Sequence, residues 1–355
     1  MDYQRLGDYI RPVDIRNRDL KVNLSQGICN AKYFQNPKQV ADNPETHKVV
    51  RTGQFAYNRA TTRNGEKISI ALREGPDCTV SSAYQVFEII DENLLNSKYL
   101  MMWFKRPEFD RLAIFYSHGS AHEFFEWDAM CDVRIPVPDI ARQREIVSEY
   151  ETLANRICLN EQMIAKLEET AQALYRKMFV EGIDKENLPE GWRVGKLGEV
   201  ADISSGKTCV DKTDEKDTLY QYPVAGASGI IGFSSTYNYD EKLMTTGRVG
   251  TLGIVNRYHQ KIFMADNVLV VRSTCYEYCH QILKSMDYSE ITKGGVQSLI
   301  TQTDLKESVV VIPPKDLLMS FEQQCSTIYF LVDIKKQENT KLKELQSLLL
   351  ARMGK

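Results

Sequence analysis

A heptad pattern between residues 140 and 179 constrains this chain more than any other feature of its sequence. Apolar side chains recur there in alternating steps of three and four, and only Asn160 interrupts them. Asp139 is placed to cap such a helix and Gly182 to end it. The pattern predicts a single helix about 60 Å long at 1.5 Å per residue. Its apolar positions are Ile146, Tyr150, Leu153, Ile157, Ile164, Leu167, Ala171, Leu174 and Met178.

A helix with one apolar stripe needs a partner against which to bury it. The candidate partner is the segment 321–353, close to the last residue of the sequence. Length and strict period favour a two-helix spacer that holds two domains apart. The alternative is an ordinary helix in the core of one domain.

Short motifs repeat in the same order in the two halves of the chain, and the common order predicts an internal duplication. Each half contains a mixed domain, then an Ile-Pro corner, then a long helix. The matched pairs are 5–10 with 196–201, 51–55 with 245–249, 119–128 with 295–304, 135–136 with 312–313, and 166–169 with 341–344.

These observations predict an α+β fold with pseudo-two-fold duplication, in which two mixed domains are separated by two long antiparallel helices. The predicted segments are a first domain at 1–134, a central spacer helix at 135–182, a second domain at 183–311, and a C-terminal spacer helix at 312–355. The length of 355 residues agrees with at least two domains.

Composition restricts the class of protein. Hydrophobic residues make up 43% of the chain and charged residues 26%, as in globular proteins. No apolar run reaches membrane-spanning length, and the first ten residues do not form a signal-peptide pattern. Eight cysteines are scattered without a paired framework. We therefore expect a cytoplasmic protein with no membrane partner.

Two basic segments recur around Gly53 and Gly247, which the duplication places in matching positions. Between residues 48 and 73 six basic residues face Glu66 alone, and between 242 and 272 five face Asp266 alone. A solvated face is the alternative, but recurrence in a chain of net charge −3 favours nucleic acid. The predicted DNA contacts are Arg51, Tyr57, Asn58, Arg59, Arg63, Lys67, Lys207, Lys242, Arg248, Arg257, Tyr258 and Lys261.

Motifs for catalysis are weak. The run 205–208 (SGKT) resembles the end of a P-loop, but Ala201 stands where the motif needs glycine. Cys275, Cys279 and His280 do not have a second ligand pair at zinc-site spacing. We therefore expect no catalytic residue, no metal site and no bound cofactor in this chain.

The central stretch carries a specific resemblance. Residues 167–175 (LEETAQALY), the pair 179–180, the run 188–192 (LPEGW) and the run 196–199 (KLGE) are similar to the specificity subunits of type I restriction–modification systems. The Ile135-Pro136-x-Pro138 corner resembles the entry to their central helix. The runs 222–224 and 247–250, with Gly226 and Gly229-Ile230, resemble their second target-recognition domain.

The resemblance implies a host-defence protein with two target-recognition domains and a coiled-coil spacer, each domain reading half of a bipartite DNA site. It further implies two modification subunits, which supply S-adenosylmethionine and adenine-N6 methylation of double-stranded DNA. Motor-nuclease (restriction) subunits would add ATP- and Mg-dependent cleavage. The alternatives are a coiled-coil assembly adaptor, the specificity subunit of a related type II enzyme, and a fused enzyme. The half-site sequences and the gap between them stay open.

Overall fold

The computed structural model describes residues 3–37, 43–60, 67–117, 123–248, 252–292 and 299–354. The chain divides into two units. The first comprises Met1–Asn160 and Gln337–Lys355, and the second comprises Glu161–Lys336. Each unit combines a mixed domain with part of two long helices, so the predicted α+β class is confirmed.

The first unit begins with a domain of short strands followed by three helices. Its strands are β1 (Tyr3–Arg5), β2 (Ile10–Val13), β3 (Gly27–Ile28), β4 (Phe34–Gln35), β5 (Lys48–Val50), β6 (Phe55–Asn58), β7 (Ile70–Leu72), β8 (Cys78–Val80), β9 (Tyr84–Ile89) and β10 (Arg134–Pro136). Its helices are α1 (Ser97–Phe104), α2 (Pro107–Phe115) and α3 (Trp127–Asp132), and α4 (Ile140–Phe179) follows.

The central sheet of this domain has the order β2-β9-β6-β7 and is antiparallel. Phe55 and Phe87 stack on neighbouring strands with ring centroids 4.9 Å apart, and the edge of Phe104 from α1 meets both rings. Asn96 caps α1 by accepting a hydrogen bond from the Tyr99 N–H. This aromatic layer between sheet and helix forms the core.

The second unit also contains a domain of short strands and helices. Its strands are β11 (Arg193–Lys196), β12 (Asp202–Ser205), β13 (Tyr222–Gly226), β14 (Gly229–Ser234), β15 (Leu243–Gly247), β16 (Val255–Tyr258), β17 (Phe263–Met264), β18 (Val268–Arg272) and β19 (Val309–Ile312). The helices are α5 (Tyr276–Ser285), α6 (Gln302–Lys306) and α7 (Lys315–Arg352).

The main sheet of the second domain has the order β12-β18-β15-β16, and a smaller sheet has the order β14-β13-β17. In strand order and direction the main sheet matches that of the first domain. In each domain a two-stranded pair also joins the first strand to the last, β1 with β10 and β11 with β19.

The predicted long helix is confirmed, because α4 has the predicted bounds and Asp139 caps it through the Arg142 N–H. Helix α7 begins at Lys315, six residues before the predicted segment. In the first unit Arg156 of α4 pairs with Glu338 of α7, with Nε–Oε1 at 2.6 Å. In the second unit aromatic rings of α4 pack on Phe321 of α7. In the described ranges no helix is long and apolar enough to cross a membrane.

Candidate nucleic-acid interface

One end of the main sheet in the second unit collects polar side chains from three connections. Lys207 follows β12 and Arg248 follows β15, and both lie beside the turn that leads into β18. The Lys207 N–H donates to the Met264 carbonyl (2.9 Å), and the Arg248 N–H donates to the Asn267 carbonyl (3.3 Å). We call Lys207, Thr208, Arg248, Asp266 and Asn267 the second rim.

The second rim is rich in hydrogen-bond donors. Arg248 Nη1 lies 3.3 Å from the Asp266 carbonyl, and Thr208 donates to the Asp266 carboxylate at 2.8 Å. Lys207 and Asn267 are exposed, and Asn256 lies at the same end of the sheet, near the start of β16. Ammonium and guanidinium groups suit phosphates, while amides and guanidinium groups can also read base edges. Such a surface can therefore contact a nucleic acid.

The first unit has a corresponding rim at the same end of its sheet. Arg59 directly follows β6, and its Nε lies 3.5 Å from the carbonyl of Ala83, the residue before β9. The Arg59 carbonyl accepts from the Phe125 N–H (2.9 Å), just as the Arg248 carbonyl accepts from the Ile300 N–H (3.0 Å). We call Arg59, Lys67 and Ala83 the first rim.

These contacts correct the predicted register of the duplication. Gly53 lies before β6, with a φ of +87°, whereas Gly247 is the last residue of β15. Since β6 and β15 occupy the same place in their sheets, the two glycines lie at opposite strand ends. The motif match between 51–55 and 245–249 therefore pairs the wrong residues. By strand position Arg59 corresponds to Arg248.

Of the remaining predicted contact residues, some lie at the rims and others do not. Lys67 and Lys207 are exposed at the rims, and Asn58 is half-buried, its Oδ1 accepting from the Ala60 N–H. Arg51 is exposed, but at the opposite end of β6. Lys261 lies 3.7 Å from Asp240, and Arg63 lies outside the described residues.

Two predicted contact residues are core residues. Tyr57 is fully buried among Phe87 and Phe125, and burial raises its pKa well above the ordinary tyrosine value. Tyr258 is buried in the small hydrophobic cluster of the second unit, and burial raises its pKa to about 12. The expectation that they contact DNA is therefore wrong, because alternation along β6 and β16 turns both rings inward.

Arg257 and Lys242 both pair with a buried carboxylate, although Lys242 itself remains exposed. Arg257 Nη2 lies 2.8 Å and Lys242 Nζ 3.0 Å from Oε1 of Glu277, which is fully buried. The guanidinium of Arg257 also covers the Tyr329 ring at 3.7 Å from its centroid. Removing either cation would leave a buried charge less compensated, so Arg257 is a structural residue. Its prediction as a DNA contact is corrected.

The basic segments are thus less available than their composition indicates. Lys48 is buried near Asp14, Arg73 is buried over the Phe34 ring, and Arg272 pairs with acids outside its own segment. A count of charges along the sequence cannot see these partners, which come from distant strands and helices. It also missed Asn267 of the second rim, and Gln302, whose Nε2 donates to Ser205 Oγ at the end of β12 (2.7 Å). A pattern of amides at strand ends is the signal that could have found them.

Two central residues of the P-loop-like run, Gly206 and Lys207, already use their backbone amides in hydrogen bonds. The Gly206 N–H donates to the Val268 carbonyl and the Lys207 N–H to the Met264 carbonyl. A Cβ on Gly206 would lie 1.9 Å from the Ala265 carbonyl oxygen, so the glycine serves close strand packing. All eight cysteines are free thiols. In the part of the chain that the structure describes, no group of three His, Cys, Asp or Glu side chains could hold a metal ion.

Comparisons with known proteins also indicate a protein that recognises DNA. Residues 189–346 match the family model for the type I restriction modification DNA specificity domain. The type I restriction enzyme MjaIX specificity subunit of Methanocaldococcus jannaschii is 20% identical over 328 residues, covering 80% of this chain and 73% of that protein. The MjaVIII specificity subunit of the same organism is 25% identical over 148 residues, covering 36% of this chain and 35% of that protein.

A solved structure shares the fold. The S subunit of a type I restriction–modification system from M. genitalium aligns with a TM-score of 0.62 at 13% identity, covering 100% of this chain and 96% of that chain. The family model and the relatives confirm the resemblance drawn from the residues of the central stretch. Residues 189–346 thus match the specificity domain of type I restriction–modification systems, and the chain as a whole is similar to their specificity subunits.

Proposed function

We propose that the chain is a type I specificity subunit and that each of its units reads one half of a bipartite DNA site through its rim. The observation that carries the proposal is the correspondence of Arg59 and Arg248. Each follows the third strand of an equally ordered sheet, and each reaches the carbonyl of a residue just before the neighbouring strand. Because the neighbouring side chains differ, the two half-sites differ as well.

The long helices serve as the spacer. In the contacts between the helices, higher residue numbers on α4 go with lower residue numbers on α7. The pairs are Arg156 with Glu338, Glu168 with Lys336, and Phe179 with Phe321. This order is that of antiparallel helices, and a 3-4 apolar seam is that of a coiled coil. Half-sites about one turn apart, roughly 34 Å, would place both rims on one face of the duplex.

The chain itself is non-catalytic in this proposal and works in a cytoplasmic complex. Two modification subunits supply S-adenosylmethionine and adenine methylation, and restriction subunits supply ATP- and Mg-dependent cleavage. Exposed apolar side chains on the long helices offer docking surface, because patches of this kind mark protein interfaces. They include Leu159 and Met163 of α4, and Phe330 (64% exposed), Leu331 and Leu348 of α7.

The test uses the purified complex with its modification subunits and a library of random duplexes. We expect one asymmetric split motif to be enriched. Arg248→Glu should then weaken binding at least about tenfold, the size of one good bidentate or phosphate contact. If Arg248 contacts phosphate, the slope of log affinity against log salt falls by about one. If it reads a base, one position of the second half-site relaxes.

Lys177→Glu is the matched control, since Lys177 is exposed on α4 in the same unit and the change in charge is identical. It should leave both affinity and salt slope unchanged. Complex formation without any sequence preference would favour the assembly adaptor. Methyl transfer by the lone chain would show a fused enzyme.

A further inference from the structure

Each long helix carries one polar side chain, close to its start, that binds the N-terminal end of a helix in its own domain. In the second unit Glu322 of α7 accepts hydrogen bonds from the Glu277 N–H (3.0 Å) and the Tyr278 N–H (2.8 Å). Both amides belong to the first turn of α5. The cap residue of α5 is Cys275, whose side chain makes no capping bond. Glu322 therefore caps α5 from a different helix.

In the first unit Gln143 of α4 takes the corresponding place. Its Oε1 accepts from the N–H of Asn96, the cap residue of α1, at 2.8 Å. Its Nε2 donates to the carbonyls of Leu94 (2.9 Å) and Pro138 (2.8 Å). Gln143 is completely buried. One amide thus joins the helix α4, the entry to α4 and the start of α1.

The two anchors differ in position by about one helical turn. Gln143 lies in the first turn of α4, and Glu322 lies in the second turn of α7. Positions that differ by one turn lie on the same face of a helix. Gln143 and Glu322 can therefore take equivalent directions from α4 and α7, the first toward α1 and the second toward α5.

We propose that Gln143 and Glu322 are positioning residues that fix the orientation of each recognition domain on its long helix and thereby the gap length that the complex reads. The inference rests on the proposed function. A rotation of about 10° moves a point about 25 Å from its axis, roughly the diameter of a domain of this size, by about 4 Å, which is close to one base-pair step of 3.4 Å. A directional hydrogen-bonded anchor resists such a rotation better than apolar packing alone, because apolar contacts are not directional.

The experiment measures gap preference in the intact complex with its modification subunits. A series of duplexes carries the two half-sites selected by the original chain. The gap between the half-sites varies from two base pairs shorter than the optimum to two base pairs longer. Glu322→Ala should reduce the affinity ratio between the optimal gap and a gap one longer by about fivefold, the equivalent of one lost cap interaction. Base preferences within each half-site should not change. Glu322→Gln, which retains one of the two acceptor oxygens, should restore the ratio in part.

Glu344→Ala is the matched control, an exposed glutamate on the same helix. Binding is measured where circular dichroism shows each variant folded. Should Glu322→Ala not fold, Gln143→Ala and Glu322→Gln provide the same comparison. A folded Glu322→Ala variant with the original ratio would overturn the positioning role and leave the proposed function intact. An original complex without any gap preference would overturn the proposed function, and this inference with it.

Discussion

Asn160 and Asn339 interrupt the apolar seams of the two long helices, and the structure joins them to each other. Asn160 is 2% exposed and Asn339 is 6% exposed, and Asn160 Nδ2 donates to Asn339 Oδ1 at 2.9 Å. The Arg156–Glu338 ion pair lies next to them. Replacing one asparagine by leucine removes this bond and leaves the other amide facing an aliphatic side chain. Replacing both asparagines removes both amides, so no amide is left without its hydrogen-bond partner.

The magnitude follows from a double-mutant cycle of Asn160→Leu and Asn339→Leu. A buried polar group without its partner costs about 1–3 kcal/mol, whereas replacing both partners by apolar groups is neutral or stabilising. The coupling energy should therefore be about 1–3 kcal/mol. We expect each single variant to be less stable than the original chain and the double variant to be at least as stable as it. The sum of the two single losses should therefore exceed the change measured for the double variant.

The assay is urea unfolding of the full chain, followed by far-ultraviolet circular dichroism under identical conditions for all four proteins. A control cycle combines Asn160→Leu with Gln346→Leu, one heptad further along α7. Gln346 lies about 10 Å along α7 from Asn339, the partner of Asn160, so the effects of Asn160→Leu and Gln346→Leu should add. A coupling in the Asn160–Asn339 cycle no larger than that of the control would refute the pairing.

Two further predictions concern buried side chains. Tyr57→Phe removes a buried hydroxyl that has no hydrogen-bond partner among the described residues. Thermal unfolding should therefore show unchanged or higher stability, by up to about 1 kcal/mol, and DNA affinity should not change. A loss of affinity would restore Tyr57 as a contact. Burial lowers the pKa of His280 to about 2, with the charge of Arg257 as the next cause, so the unfolded chain takes up a proton that the folded chain does not. Stability should therefore be constant above about pH 6.5 and fall by about 1.4 kcal/mol per pH unit below it, and His280→Phe should flatten this slope in urea titrations at several pH values.

The sequence predicted the long helices well because their signal is local and repeated. Each seam position in 140–179 depends only on neighbours three and four residues away, and the cap at Asp139 adds a local boundary. The pairing of Asn339 could not be predicted from local sequence, for the opposite reason. Its partner Asn160 lies 179 residues away, and a polar residue in a seam is costly only when it is unpaired.

The candidate site was predicted less well, because availability of a charge depends on long-range partners. Arg257 and Arg248 are indistinguishable in a count of basic residues, yet only Arg257 is held by the buried Glu277. Strand position separates them. Arg248 follows the end of β15, where a connection can face a ligand, whereas Arg257 lies inside β16, on the side of the sheet that carries α5 and Tyr329. The informative property of a basic residue in this fold is therefore its place relative to the end of a strand. The corrected match of Arg59 with Arg248, which shares no sequence motif, follows from that property alone.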